Sequence, residues 1–254
     1  MKRLYFLYHE LRQVPSPYSY VVSCGRFEQH CELFARLRAA ESDTLRPEIT
    51  FDDGHRSNYE FALPVLERHG LTAHFFVTVG WMGQRAGYMG WDELRALHAS
   101  GQTIGAHGWT HTLLTHCALS DLDRELSGAR RKLEDELGAA VTSMSLPGGR
   151  SNRLVLDACW KAGYTEVFTS LPMAQPEAVS GETSIGRLNV RGTMSAAWLE
   201  QVLRPESGLL VKMERRERVK TAAKTILGDA LYARLWSVGN REEPDSGTHG
   251  APSE

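Results

Sequence analysis

Cysteine is scarce in this chain of 254 residues, which carries only Cys24, Cys31, Cys117 and Cys159. No two of them form a CxxC pair. They argue against a cysteine-built zinc ribbon, a dithiol redox centre or a small disulfide-stapled fold. An excess of charge of either sign is also missing. Lys and Arg number 29 against 31 Asp and Glu, a formal net charge of −2. That balance gives no reason to expect nucleic acid or an anionic membrane as partner, though a local patch is compatible with a charged or lipid-linked substrate. Long apolar runs are absent, and nothing approaches the roughly 20 residues of a membrane span. The apolar part of Met1–His9 is about five residues, where a secretory core needs roughly 7–15. The expectation is a cytoplasmic protein with reduced thiols, at most peripheral to the inner face of a membrane. No solenoid-type repeat is visible.

What is present suffices for a sizeable core, since 42% of residues are hydrophobic. Apolar runs that read as buried strands alternate with segments of helical spacing. The strands are expected at Leu4–Tyr8, Glu48–Phe51, Thr72–Val79, Gln102–Gly105, Val141–Leu146, Glu166–Thr169 and Ser184–Val190. The helices between them include Phe27–Ala40, Ser57–Arg68, Trp91–Ser100, Ser120–Leu137, Asn152–Ala162 and Ser195–Leu203. Ser120 and Asp123 resemble a capping box. Residues 213–236 read as a basic segment followed by a more apolar helix. This order predicts an α/β layer or barrel with parallel strands. One domain is expected over 1–239, with C-terminal helices, and a disordered tail over 240–254.

The chemistry lies at the strand ends. Ile49–Thr50–Phe51 delivers two adjacent carboxylates, Asp52 and Asp53, followed by Gly54. Later come two imidazoles four apart, His107 and His111. One carboxylate with two imidazoles suits a borderline divalent ion such as zinc and leaves the second carboxylate to act as a base. If residues 107–111 form a helical turn, both rings point the same way. Alone, each motif has a bland reading: HxxxH is weak evidence for a metal, and Asp-Asp-Gly is usually a turn. Two adjacent like charges at a core edge are nevertheless costly without a cation or partner. His9, Asp52, Asp53, His107 and Pro147 all fall at the carboxyl ends of predicted strands, where α/β folds place their chemistry. His55 follows Gly54 closely enough to touch the site. Trp81, Tyr88, Met89 and Trp109 are candidates for a sugar platform and equally for packing.

These residues resemble the polysaccharide deacetylase, or NodB-homology, group of carbohydrate esterases. Thr50–Gly54 is similar to its first motif, His107–His111 to its second, and Leu146–Pro147–Gly148–Gly149 to its third. The run from Trp91 to Gly105 also looks like that family, and the resemblance covers roughly residues 4–190. It implies a distorted (β/α) barrel with a divalent metal, Zn²⁺ by expectation, at its mouth. It further implies Asp52 as base and Asp53, His107 and His111 as metal ligands. Pro147, Gly148 and Gly149 would line the substrate groove and the oxyanion position.

Three departures stand out. Ser145 takes the place of the arginine or other defined residue usual two before the motif's proline. No aspartate–tryptophan element follows Gly163. The late histidine that supplies the catalytic acid is missing, because no histidine lies between His116 and His249. The chain resembles an exopolysaccharide deacetylase branch that begins with a strand ending in Tyr–His. Tyr8–His9 matches that pair, which assigns the acid role to His9, and Gly186–Val190 is similar to the branch's late strand, whose arginine here is Arg187. The implied activity is removal of an acyl group, usually acetyl, from an N-acylated amino sugar in a polymeric or lipid-linked glycan. The alternatives are hydrolysis of a non-sugar linear or cyclic amide, or a degenerate glycan-binding domain. The sequence does not address the oligomeric state.

Overall fold

A computed structural model describes residues 2–40, 44–176 and 181–227. The strands are β1 (Arg3–Tyr8), β2 (Glu10–Arg12), β3 (Val21–Ser23), β4 (Arg46–Phe51), β5 (Ala73–Val77), β6 (Thr103–Ala106), β7 (Ser143–Ser145), β8 (Glu166–Phe168), β9 (Thr183–Ile185) and β10 (Arg187–Asn189). The helices are α1 (Cys24–Ala39), α2 (Leu63–Arg68), α3 (Trp91–Ala99), α4 (Leu119–Asp123), α5 (Ala129–Leu137), α6 (Arg153–Lys161), α7 (Ala196–Leu203) and α8 (Leu209–Leu227). The barrel and its covering helices belong to one compact unit, Met1–Glu214. The stretch 240–254, expected to be a tail, lies outside the described residues.

Eight strands form one parallel sheet in the order β10-β1-β4-β5-β6-β7-β8-β9, while β2 and β3 pair separately. The two ends of this order are consecutive in the chain. Thr183–Asn189 pairs with β8 through its first half and with β1 through its second. One extended segment therefore closes the sheet into a nearly complete barrel. Gly186 sits at the seam, where a Cβ would stand 2.2 Å from the Leu171 carbonyl oxygen. The sequence suggests one strand here; the structure shows two short ones because the segment changes neighbours at this glycine.

Side-chain alternation sorts the layers. Leu4, Phe6, Tyr8, Ile49, Phe51, Phe75 and Val77 join the large core under the helices. Tyr5, Phe76, Phe168 and Ile185 form a smaller, separate cluster inside the barrel. The inward positions of β4 thus fall on Glu48, Thr50 and then Asp52. Register levels the strand ends. Tyr8 is opposite Phe51, and Phe51 opposite Phe75. Just past the strands, the Asp52 amide donates to Tyr8 O (3.0 Å), the His107 amide to Val77 O (2.9 Å) and the Leu146 amide to Phe168 O (3.0 Å). Residues from four different strand ends reach one rim by this means.

Several helices depart from the sequence reading. Ala118, not Ser120, caps α4, and no side chain caps it. Residues 119–137 run as α4, a π-turn at Arg124–Gly128, and α5. A second π-turn, Asn58–Ala62, runs directly into α2, so Pro64 lies inside a continuous helical stretch where the spacing changes from π to α. Helix α8 starts at Leu209, ahead of the expected residue 213. No helix among the described residues is long and apolar enough to cross a membrane.

Candidate metal and catalytic site

The Asp53 Oδ1 atom lies 3.2 Å from His107 Nε2 and 3.2 Å from His111 Nε2. It is buried and has no hydrogen-bond partner. The two nitrogens face it without the alignment of a donor. Three lone-pair donors, all within 4.8 Å of one another, therefore converge on a common point and not on each other, as a divalent cation requires. The structure fixes the tautomer of one ligand. His107 Nδ1 lies 2.8 Å from the Ser145 carbonyl oxygen, which can only accept. A proton therefore sits on Nδ1, and in the neutral ring Nε2 would be the nitrogen that presents a lone pair to a cation.

The backbone at both ends of this cluster is unusual. Asp53 (φ 74°) and His111 (φ 66°) are the two non-glycine residues with positive φ among the described residues. Such conformations cost of order 1–3 kcal/mol each and collect at functional sites. Gly54 and Gly108 are also left-handed, at φ 84° and 78°. The chain turns sharply after each motif as a result. The expected helical turn across His107–His111 does not form. A loop with two left-handed residues brings the rings to 5.0 Å.

Glu125, which the sequence reading passed over, holds this loop. It is 4% exposed. Its Oε2 accepts from the amides of Trp109 (2.8 Å) and Thr110 (3.0 Å), and its Oε1 accepts from the Thr110 hydroxyl (2.7 Å). The available signal was a carboxylate within the buried stripe Leu122–Leu126–Ala129–Leu133. A Cβ on Gly108 would lie 2.9 Å from Glu125 Oε2, so only glycine fits there.

Asp52 is separate from the converging donors. It is 3% exposed and lies inside the barrel mouth. Arg187, fully buried on β10, grips it with two bonds, Nη1 to Oδ1 at 2.7 Å and Nη2 to Oδ2 at 2.8 Å. The Ser145 hydroxyl donates to Asp52 Oδ2 (2.9 Å) and accepts from Arg187 Nη2 (2.7 Å). Arg187 also donates to Thr50 Oγ1 and Thr169 O. Its guanidinium packs 5.5 Å from Phe76 and 5.7 Å from Phe168. An arginine from β10 thereby reaches the hydroxyl of Ser145, two residues before Pro147. Burial alone would raise the Asp52 carboxyl, but Arg187 and His107 outweigh it and hold Asp52 below the ordinary value.

His9 follows β1 on the same rim. Its carbonyl accepts from Asn58 Nδ2 at 2.7 Å, its ring packs 5.5 Å from Tyr20, and its Nδ1 is buried without a partner. Burial lowers its pKa, against the opposing pull of Asp53 and Asp52. Tyr8 is anchored beneath it, 3.0 Å from His30 Nδ1. His55 stands beside the site and not among the converging donors. Its Nδ1 accepts from the Ser57 amide, and its ring meets Tyr88 edge-on. Pro147–Gly149 forms a tight turn after β7 with Gly148 and Gly149 both left-handed. A Cβ on Gly149 would meet the Ser170 side chain at 2.1 Å. Met89 is fully buried in the core, which removes it as a sugar contact.

Residues 46–167 match the family model described as polysaccharide deacetylase. The Bacillus subtilis protein YxkH is 28% identical over 149 residues, covering 59% of this chain and 53% of that protein. The peptidoglycan-N-acetylglucosamine deacetylase PgdA of Listeria monocytogenes is 30% identical over 110 residues, 43% of this chain and 22% of that one. The match thus spans about half or less of these relatives' length. Among solved structures, the Streptococcus pyogenes deacetylase PplD in complex with acetate shares the fold. Its TM-score is 0.70 at 20% identity, over 80% of this chain and 98% of that one. The barrel, the strand-end motifs and the match over β4 to β8 agree, and over residues 46–167 the chain is similar to the polysaccharide deacetylase family.

Proposed function

We propose that the chain is a metal-dependent hydrolase that removes an acyl group, acetyl in the first instance, from an N-acylated amino sugar of a glycan or glycan precursor. The observation that carries this reading is a buried, ionised Asp52 held beside a three-donor cluster without belonging to it. Asp53, His107 and His111 would hold a divalent ion of the zinc type. When bound, that ion supplies Lewis-acid charge for the amide carbonyl and makes water easier to deprotonate.

The protein's own groups do the rest. Asp52 accepts the proton of the attacking water. Arg187 and Ser145 fix both its oxygens, so the base is oriented before substrate arrives. The Gly148 amide serves the developing oxyanion, since Pro147 has no N–H and the Gly149 amide is donated to Leu146 O. His9 donates a proton to the departing amine, which is a poor leaving group as an anion. Burial lowers the pKa of His9 against the pull of Asp53 and Asp52, and the proton it gives to the amine is balanced by the one Asp52 takes from the water. The sugar reading draws support from the family match and from PgdA, whose name gives a peptidoglycan N-acetylglucosamine substrate. The four cysteines are unpaired, which supports a reducing, cytoplasmic setting.

The test is acetate release from N-acetylglucosamine oligomers by the zinc-loaded protein, beside Asp52→Asn and His9→Ala. Release by the parent and its loss in both variants are expected. Full turnover by Asp52→Asn would remove the base assignment, and no release from any acylated amino sugar by a metal-replete protein would remove the function.

A further inference from the structure

His9 stands where the chain leaves the barrel. Tyr8 ends β1, and its carbonyl accepts from the Asp52 amide as the last rung on that side. Glu10 already belongs to β2, which pairs with β3 outside the barrel sheet. Between the two sheets the His9 carbonyl accepts from a side chain instead, Asn58 Nδ2 at 2.7 Å. The neighbouring residue Ser57 holds the same segment from its other end, its Oγ accepting from the Leu11 amide at 3.0 Å. Two consecutive side chains thus fix residues 9–11, one by donating and one by accepting.

Asn58 has little other reason to be where it is. It is fully buried, where an amide side chain is costly unless bonded. Its Oδ1 has no partner among the described residues, so the bond to His9 O alone offsets that burial. Asn58 also opens the π-turn Asn58–Ala62, which is closed by the Leu63 amide donating to Asn58 O. Single π-turns collect at functional sites, and this one lies five residues after Asp53. The His9 ring itself has few restraints. Its Nδ1 is buried without a partner and its ring packs 5.5 Å from Tyr20. The direction of the imidazole is therefore set by that packing and by the backbone that carries it.

We infer that Asn58 is a positioning residue for His9: its bond to the His9 carbonyl fixes the backbone that aims the imidazole at the amine leaving the substrate. This rests on the hydrolase reading above, with His9 as its acid. As the C–N bond breaks, the electron pair goes to nitrogen, which takes a proton from His9. The aryl oxide of an activated ester leaves with its electron pair and needs no proton. A misplaced acid therefore slows an amide and spares such an ester.

The test compares kcat and KM of the zinc-loaded protein on N-acetylglucosamine oligomers and on para-nitrophenyl acetate. The proteins are the parent, Asn58→Leu, Asn58→Ala and His9→Ala. Both Asn58 variants lose the donating N–H. Their amide kcat is expected to fall about tenfold or more with KM little changed, since small misplacements of a catalytic group are costly. Ester turnover should stay within about threefold of the parent, the same split that His9→Ala gives. Ester turnover also reports that the barrel and metal site are intact. If Asn58→Leu loses both activities, Asn58→Ala decides. Loss of both activities in both variants makes Asn58 a structural residue and overturns the inference, as does unchanged amide turnover in either. A crystal structure of Asn58→Ala separates the inference from the function. The His9 ring should leave its 5.5 Å contact with Tyr20, and a ring that stays there overturns the positioning role. If the ring moves while the parent releases no acetate, the hydrolase reading fails and the hold of Asn58 on His9 stands.

Discussion

Replacing Arg187 by Met tests the link between fold and chemistry. The side chain is fully buried and makes two bonds to Asp52, with others to Ser145, Thr50 and Thr169. Methionine fills much of the volume between Phe76 and Phe168 but leaves a buried carboxylate that still accepts from the Ser145 hydroxyl and has lost both arginine bonds. Breaking a buried pair from one side costs about 3–5 kcal/mol, a large share of a domain's typical 5–15 kcal/mol. For a chain of this size that is a fall in Tm of about 6–20 °C. Urea unfolding of Arg187→Met, Asp52→Asn and the double variant measures it. The double variant should cost less than the sum of the singles by about 2 kcal/mol or more, because it leaves no unpaired charge. A cost below about 1 kcal/mol for Arg187→Met, or simple additivity, would refute the argument that the pair is a coupled buried unit.

Two further outcomes follow from groups the chemistry does not touch directly. Glu125→Ala leaves the Trp109 and Thr110 amides without their acceptor and frees the His107–His111 loop. Metal affinity, measured by chelator competition, should fall about 10–100-fold, and an unchanged affinity would show that the loop holds its shape alone. His30 is buried and keeps a pKa of about 4, chiefly through desolvation. Its Nε2 donates to Met194 O at 3.0 Å, and the neutral ring accepts from Tyr8. The unfolded chain protonates this histidine near pH 6.5 and the folded one does not. Its contribution is therefore complete above pH 6.5 and is lost as pH falls to about 4, in total roughly 3 kcal/mol. His30→Gln should flatten the wild-type slope of unfolding free energy over that interval, and parallel slopes would contradict the assignment.

The legible parts of the sequence were those governed by period and position. Continuous apolar runs gave the strands of the barrel, and the inward phase of Thr50 and Asp52 follows from alternation along β4. The motif residues fell on one rim because parallel register levels the strand ends. Backbone-controlled features were harder to read. Spacing suggested a helical turn for His107–His111, whereas Gly108 and His111 turn left-handed and make a loop. The π-turns at Asn58–Ala62 and Arg124–Gly128 leave no mark in apolar periodicity. Glu125 was hidden because a charge on a helix normally reads as a solvated face, and only the distant loop amides give it a reason to be buried. Residues 183–189 suggested a single strand, and nothing local shows that its two halves pair with opposite edges of the sheet.

The most direct test of the account is a crystal structure of zinc-soaked protein with anomalous data at the metal edge. One ion is expected per chain, bound through Asp53, His107 Nε2 and His111 Nε2, with both Asp52 oxygens still on Arg187 and Ser145. An ion ligated by Asp52, one found instead at Glu28, Glu32 and His69, or no ion under metal-replete conditions would contradict it.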